Sequence, residues 1–126
     1  MLGKQHRRYV CDVTQRKACQ QVAERIIEDF GAVDILINNA GITQPIRILD
    51  VKPVNYDAVL NVNLRGMLYL SQSFMPHMIS RGQGLIACNS SVSGQAWGGV
   101  FHGPHYSAAK AGRLGLANRK LARLIP

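Results

Sequence analysis

The chain has 126 residues, enough for one domain and not for two. With 47% apolar and 17% charged residues it reads as a folded chain rather than a disordered one. It contains no apolar run long enough to span a bilayer as a helix, so no membrane partner is expected. Met1 to Arg8 is basic but no apolar stretch follows it, so it does not read as a secretory signal. Three cysteines, Cys11, Cys19 and Cys88, have no metal-like spacing. They fit buried thiols in a reducing, cytoplasmic setting better than a disulfide framework. The net charge of +8 is uneven: residues 1–57 hold eight Lys/Arg against seven Asp/Glu, whereas residues 58–126 hold seven Lys/Arg and no acid. Such a half could face an anionic ligand, an acidic protein or simply solvent. No recognition motif and no basic stripe interleaved with aromatics supports a nucleic-acid partner.

In chain order, Tyr9 to Val13 is short and β-leaning and predicts a strand end, with Thr14 placed to cap the next helix. From Gln15 to Phe30 the residues Ala18, Val22, Ile26 and Phe30 recur every four, with Ala23 and Ile27 beside them, which predicts one helical stripe. Gly31 stands where a left-handed stop is needed. Val33 to Ile37 is a near-continuous apolar run and predicts a strand covered on both faces. After a loop with Pro45, Asn55 to Ile79 is again helical, and Pro76, lacking an N–H, should kink or end it. Gly82 and Gly84 predict a turn, Leu85 to Cys88 a third buried strand, and Ser90 to Gly103 a Gly/Ser loop carrying Trp97. Pro104 suits the first turn of a last helix from about His105 to Leu124. Strand and helix alternate three times, which implies an α/β fold with a parallel sheet and right-handed crossovers.

Tyr106 and Lys110 are four apart and share one face of that last helix. An ammonium beside a phenol favours the phenolate by charge attraction, which makes a general acid/base; an exposed helical pair has the same spacing. Ser91 follows the third strand, at the carboxyl end of the sheet where open parallel sheets bind ligands. A hydroxyl there can donate to a developing oxyanion, or it can cap a turn, and Ser90 and Ser93 compete for either role. Asn38-Asn39-Ala40-Gly41 closes the second strand at the same edge, with residues small enough for a flat ligand to approach the backbone. Asn63 interrupts an apolar helix and is either a surface residue or a specific hydrogen-bonding one. The histidines His6, His77, His102 and His105 are scattered and predict no metal site.

Together Cys11-Asp12-Val13-Thr14, Asp34-Ile35-Leu36-Ile37-Asn38-Asn39-Ala40-Gly41, Asn61-Val62-Asn63-Leu64, Ser91 and Tyr106-Ser107-Ala108-Ala109-Lys110 resemble, in this order, the short-chain dehydrogenase/reductase family. The look is nearest to its 3-oxoacyl-(acyl-carrier-protein) reductase branch and to similar sugar or polyol dehydrogenases. The resemblance implies a partial Rossmann-like, doubly wound parallel sheet and a single incomplete dinucleotide-binding and catalytic domain over residues 1–126. It implies NAD or NADP as cofactor and a small carbonyl or alcohol substrate, carrier-linked in some members. It also implies a homo-oligomer when complete. Asp12 and Val13 would border the adenine, and Asn39, Ala40 and Gly41 the cofactor ribose. Ser91 would hold the reacting oxygen, Tyr106 would move its proton, and Lys110 would bind the nicotinamide ribose and favour the Tyr106 phenolate. Asn63 would anchor a water on a proton relay. The family's glycine-rich pyrophosphate turn and its later strands have no counterpart here, so the chain is expected to be a fragment. Its first segment should then lack a strand neighbour. A non-catalytic remnant serving as an interaction module is the alternative expectation.

Overall fold

The computed structural model describes residues 6–95 and 102–117. Helix α1, Arg16–Phe30, ends where Gly31 adopts φ 74°, its N–H donating to the Ile27 carbonyl at 2.8 Å. The α1 stripe is rotated from the expected one. Cys19 and Ala23 are buried and Ile26 and Ile27 half-buried, whereas Phe30 is 46% exposed beneath the Arg7 guanidinium. Thr14 does not cap α1. Its amide and hydroxyl instead donate to Asp12 Oδ1, at 2.9 and 2.7 Å, and Gln15 stands at the N-cap. This is the short Asx turn that aspartate favours ahead of a helix.

Strand β1, Ile35–Asn38, pairs in parallel with β2, Leu85–Cys88, in the register Leu36↔Ile86 and Asn38↔Cys88. These are the two strands of the described residues. Tyr9 to Val13, expected as a third, makes no ladder, because a strand exists only through a hydrogen-bonded neighbour and none flanks it among the described residues. Side chains hold that segment instead: Arg7 pairs with Asp29 at 2.6 Å, and the Tyr9 hydroxyl donates to Asp29 at 2.6 Å. Those two donors, Tyr9 first, keep the Asp29 carboxyl below its ordinary range.

Between the strands lie α2, Pro53–Leu60, a π-helical turn, Asn61–Arg65, and α3, Gly66–Ser80. Pro53 opens α2 at the position where a missing N–H costs nothing, and the Asn55 side chain accepts from the Lys52 amide at 3.2 Å. The expected single helix is present as one continuous run over residues 53–80, with a π turn set between its two α-helical stretches. Pro76 does not end α3, which runs on to Ser80. Proline removes one hydrogen bond, and burial of Phe74 and Met78 on either side of it offsets that loss at about 1.5–3 kcal/mol per side chain.

The core gathers Ala23 of α1 with Phe74 and Met78 of α3, against Ile26, Ile27, Val33, Leu70 and the Leu36–Ile86 pair of the sheet. Alternation along a strand sends neighbouring residues to opposite faces. Ile35, Ile37 and Leu85 accordingly lie on the other face and are exposed, so β1 is covered on one side rather than on both. The turn between α3 and β2 uses Gly82 at φ 66°, and Arg81 fastens it to Asp34 at 2.9 Å. Helix α4, Pro104–Leu116, closes the described chain. The fold is α/β, as its alternating sequence predicts.

Candidate active site

Both strands run the same way, so their carboxyl ends, Asn38 to Gly41 and Asn89 to Ser91, lie side by side. The Asn89 amide continues the ladder to the Asn38 carbonyl at 3.1 Å, and the Asn89 side chain donates to Asn39 Oδ1 at 2.7 Å. Helix α4 is laid against this edge. Ser90 donates to the Lys110 carbonyl at 2.8 Å, and the 3-10 turn Val92–Gly94 rests on α4 at Gly94. A Cβ on Gly94 would come within 2.7 Å of the Lys110 and Ala111 backbone. At the start of α4, a Cβ on Gly103 would meet the Gln44 carbonyl at 2.5 Å, so the loop after β1 presses on the helix N-terminus.

Spacing of four and then three residues puts Tyr106, Lys110 and Arg113 on one side of α4. Tyr106 is half-buried, its ring 5.1 Å from the His102 ring and 5.5 Å from Lys110 Nζ. Lys110 is not the exposed partner of a surface pair. It is 5% exposed, and its ammonium donates to the Asn89 carbonyl at 3.1 Å. Burial, and then the nearby Arg113 charge, push its pKa below the ordinary 10.5. Ser91 caps the Val92–Gly94 turn by accepting from the Ser93 amide at 3.2 Å. A hydroxyl that accepts keeps its own hydrogen to donate, so capping and oxyanion binding are compatible.

Asn63 is fully buried. Its Nδ2 donates to the Ile42 and Val59 carbonyls at 2.8 and 2.9 Å, which ties the loop after β1 to the π turn. Its Oδ1 has no partner among the described residues and faces Gly41, where a Cβ would stand 2.6 Å away. Asn39, Ala40 and Gly41 are exposed along this edge. Val13 packs on the first residue of α3, Gly66, whose missing Cβ would lie 2.8 Å from a Val13 methyl. Asp12 is exposed, and the Thr14 hydroxyl and amide hold its carboxyl below the ordinary range.

Sequence reasoning missed Arg113. It is 1% exposed and donates from Nε to the Asn63 carbonyl, from Nη1 to the Asn89 carbonyl and from Nη2 to the Ala40 carbonyl, the last at 2.9 Å. One guanidinium thus joins the π turn to the ends of both strands. Its signal was its place seven residues after Tyr106, on the face already singled out. Asn89, whose carbonyl serves both Lys110 and Arg113, was missed as well. The structure brings Ala40, Gly41, Asn63, Lys110 and the turn bearing Ser91 around this guanidinium and the Asn89 carbonyl. Asp12 stays apart from that network. Trp97, Val100 and Phe101, read as part of the loop beside the site, lie outside the described residues, as does the expected end of the last helix at Leu124. No group of metal-ligating side chains occurs among the described residues.

The family model for short chain dehydrogenase matches residues 1–124. An uncharacterised short-chain type dehydrogenase/reductase of Sinorhizobium fredii is 53% identical over 107 residues, which are 85% of this chain and 42% of that protein. The 3-oxoacyl-[acyl-carrier-protein] reductase of Thermotoga maritima is 38% identical over 111 residues, 86% of this chain and 43% of that one. A solved structure of ElxO with NADP bound superimposes with a TM-score of 0.83 at 27% identity, covering 92% of this chain and 48% of that one. The chain spans less than half the length of these relatives. By family model and by identity to relatives it belongs to the short chain dehydrogenase family.

Proposed function

We propose that this chain carries the catalytic portion of an NAD(P)-dependent oxidoreductase that interconverts a carbonyl and a secondary alcohol, with Tyr106 as the general acid/base. The observation that carries the reading is the buried Lys110 ammonium, held on the Asn89 carbonyl beside the Tyr106 ring at the carboxyl edge of a parallel sheet. An ammonium so placed keeps further N–H groups for a ribose hydroxyl. Ser91 retains a hydrogen for the substrate oxygen. As that oxygen gains charge, Ser91 stabilises it and Tyr106 delivers the proton; in the oxidative direction Tyr106 removes it.

The residues fit a nicotinamide dinucleotide on its ribose side. Asn39, Ala40 and Gly41 offer an exposed, small-residue edge. The orphaned, buried Asn63 Oδ1 behind Gly41 calls for a donor, which suits a water on a relay from Lys110. Asp12 and Val13 are assigned to the adenine side. The cofactor supplies the hydride when bound, and the protein supplies placement and charge. The reductase of Thermotoga maritima, which by its name acts on 3-oxoacyl groups, favours a 3-oxoacyl thioester as substrate; sugar or polyol substrates are the competing class.

Adding NADH or NADPH to the chain and following cofactor fluorescence tests binding, and acetoacetyl-CoA with either cofactor tests reduction. Tyr106→Phe is expected to abolish turnover while sparing cofactor binding. Retained turnover in that variant removes Tyr106 from its role, and no fluorescence change up to millimolar cofactor leaves the chain an interaction module.

One observation supports an association role as well. An apolar groove of ≈ 290 Å³ between the π turn and α4, lined by Leu60, Leu64, Leu68 and Leu116, suits a second copy packing helix against helix. Sedimentation checks this: a monomer at every concentration rejects the homo-oligomer.

A further inference from the structure

Two of the three cysteines have come together. Cys11 and Cys19 are eight positions apart in sequence, and their sulfurs stand 4.0 Å apart. The turn between them is closed by the Gln15 amide on the Asp12 carbonyl at 3.0 Å and by the Thr14 donors on the Asp12 carboxylate. Cys19 is fixed on the first turns of α1, fully buried, with its thiol directed to the Val13 carbonyl at 3.6 Å. Cys11 is half-buried and lies on a segment that pairs with no strand among the described residues. A disulfide needs its sulfurs at about 2.05 Å, so closure asks Cys11 to shift by roughly 2 Å. Cys88 lies on β2, in a different element, and is the internal control.

We propose that Cys11 and Cys19 are an oxidation site, a thiol pair that closes to an intramolecular disulfide on meeting a small-molecule disulfide. The Cys11 thiolate attacks one sulfur of the oxidant. The S–S bond breaks, and one thiol leaves with the electron pair and takes up a proton. The Cys19 sulfur then attacks Cys11, gives up its proton, and expels the second small thiol. Two protein thiols are oxidised by two electrons, and one disulfide is reduced to two thiols. Burial, reinforced by the neighbouring Cys11, pushes the Cys19 thiol up to about 12, so the first attack falls to the more accessible Cys11. Closure encircles Asp12 and Val13 and fastens their turn to α1. This rests on the positions of the two sulfurs and not on the proposed reaction.

The test is to equilibrate the chain with oxidised glutathione, block free thiols by alkylation, and map the peptides by mass spectrometry. The expected product has lost two hydrogens, links Cys11 to Cys19, and carries an alkylated Cys88. Amide exchange at Val13 and Thr14 should slow in that product. Cys11→Ser, a change at the half-buried member, should abolish the link. Glutathione retained on Cys11 without closure, a bridge involving Cys88, or three alkylated cysteines would each overturn the proposal. So would unchanged exchange at Val13 and Thr14 in the bridged protein.

Discussion

Replacing Arg113 by methionine keeps most of the side-chain volume and removes the guanidinium that joins three backbone carbonyls. The Asn89 carbonyl keeps Lys110 as a donor, whereas those of Asn63 and Ala40 lose a charged one. Hydrogen bonds to charged groups contribute about 1.5–3 kcal/mol each, so two or three of them amount to roughly 3–9 kcal/mol. Against that, burying an ion costs several kcal/mol, which methionine returns. The balance is a destabilisation of about 3 kcal/mol, a large share of the ~5–15 kcal/mol that holds a domain folded. Urea unfolding followed by far-ultraviolet circular dichroism reads it. With a slope of about 1–3 kcal/mol per molar, the midpoint should fall by roughly 1–3 M. Arg113→Lys, which keeps the charge but loses the planar fork, should fall between the two. An Arg113→Met midpoint equal to or above that of the parent would refute the view that this cation bridges the sheet edge to the helices.

Gly41→Ala places a methyl 2.6 Å from the buried Asn63 Oδ1 and should cost about 1–3 kcal/mol in the same assay; a neutral result would mean the loop yields freely. Phe74→Ala empties the centre of the core and should cost about 3–5 kcal/mol, with a cost under 1 kcal/mol showing that the α1–α3 packing does not hold the sheet. Lys110 binds its proton less tightly folded than unfolded, so between its lowered pKa and 10.5 the unfolded chain holds more protons and stability rises with pH. The parent should therefore gain stability relative to Lys110→Met as pH climbs through that window, and a pH-independent difference between the two unfolding curves would contradict it.

The features legible in the sequence are those whose signals are local. Gly31 announces a left-handed stop, Leu85 to Cys88 has the length and composition of a strand, and Tyr106 and Lys110 share a face by spacing alone. The Asn38 to Gly41 edge could be placed because a parallel strand ends at one side of its sheet. Tertiary contacts decided the rest. Tyr9 to Val13 has the side chains of a strand, but hydrogen-bonded neighbours make a strand. Asn63 could have been a surface residue until the Ile42 carbonyl, 21 positions earlier, was seen to take its amide. Arg113 resembled a solvated charge because its partners are carbonyls, which every residue carries and no pattern reveals. Pro76 reads as a kink or end of its helix because the local cost of proline is visible in sequence, whereas the compensating burial that carries α3 past it is not.

The wide turn at Asn61–Arg65 also fixes how α3 is phased against α2. A helix advances about 100° per residue, and a π turn holds one residue more than an α turn. Excising a single residue there would restore an unbroken α spiral and leave Phe74 and Met78 near their present bearing on Ala23, whereas the same excision within α2 would swing every later side chain by that angle. The segment takes up one residue of slack between the two helices, and a one-residue deletion is expected to be better tolerated within it than in α2.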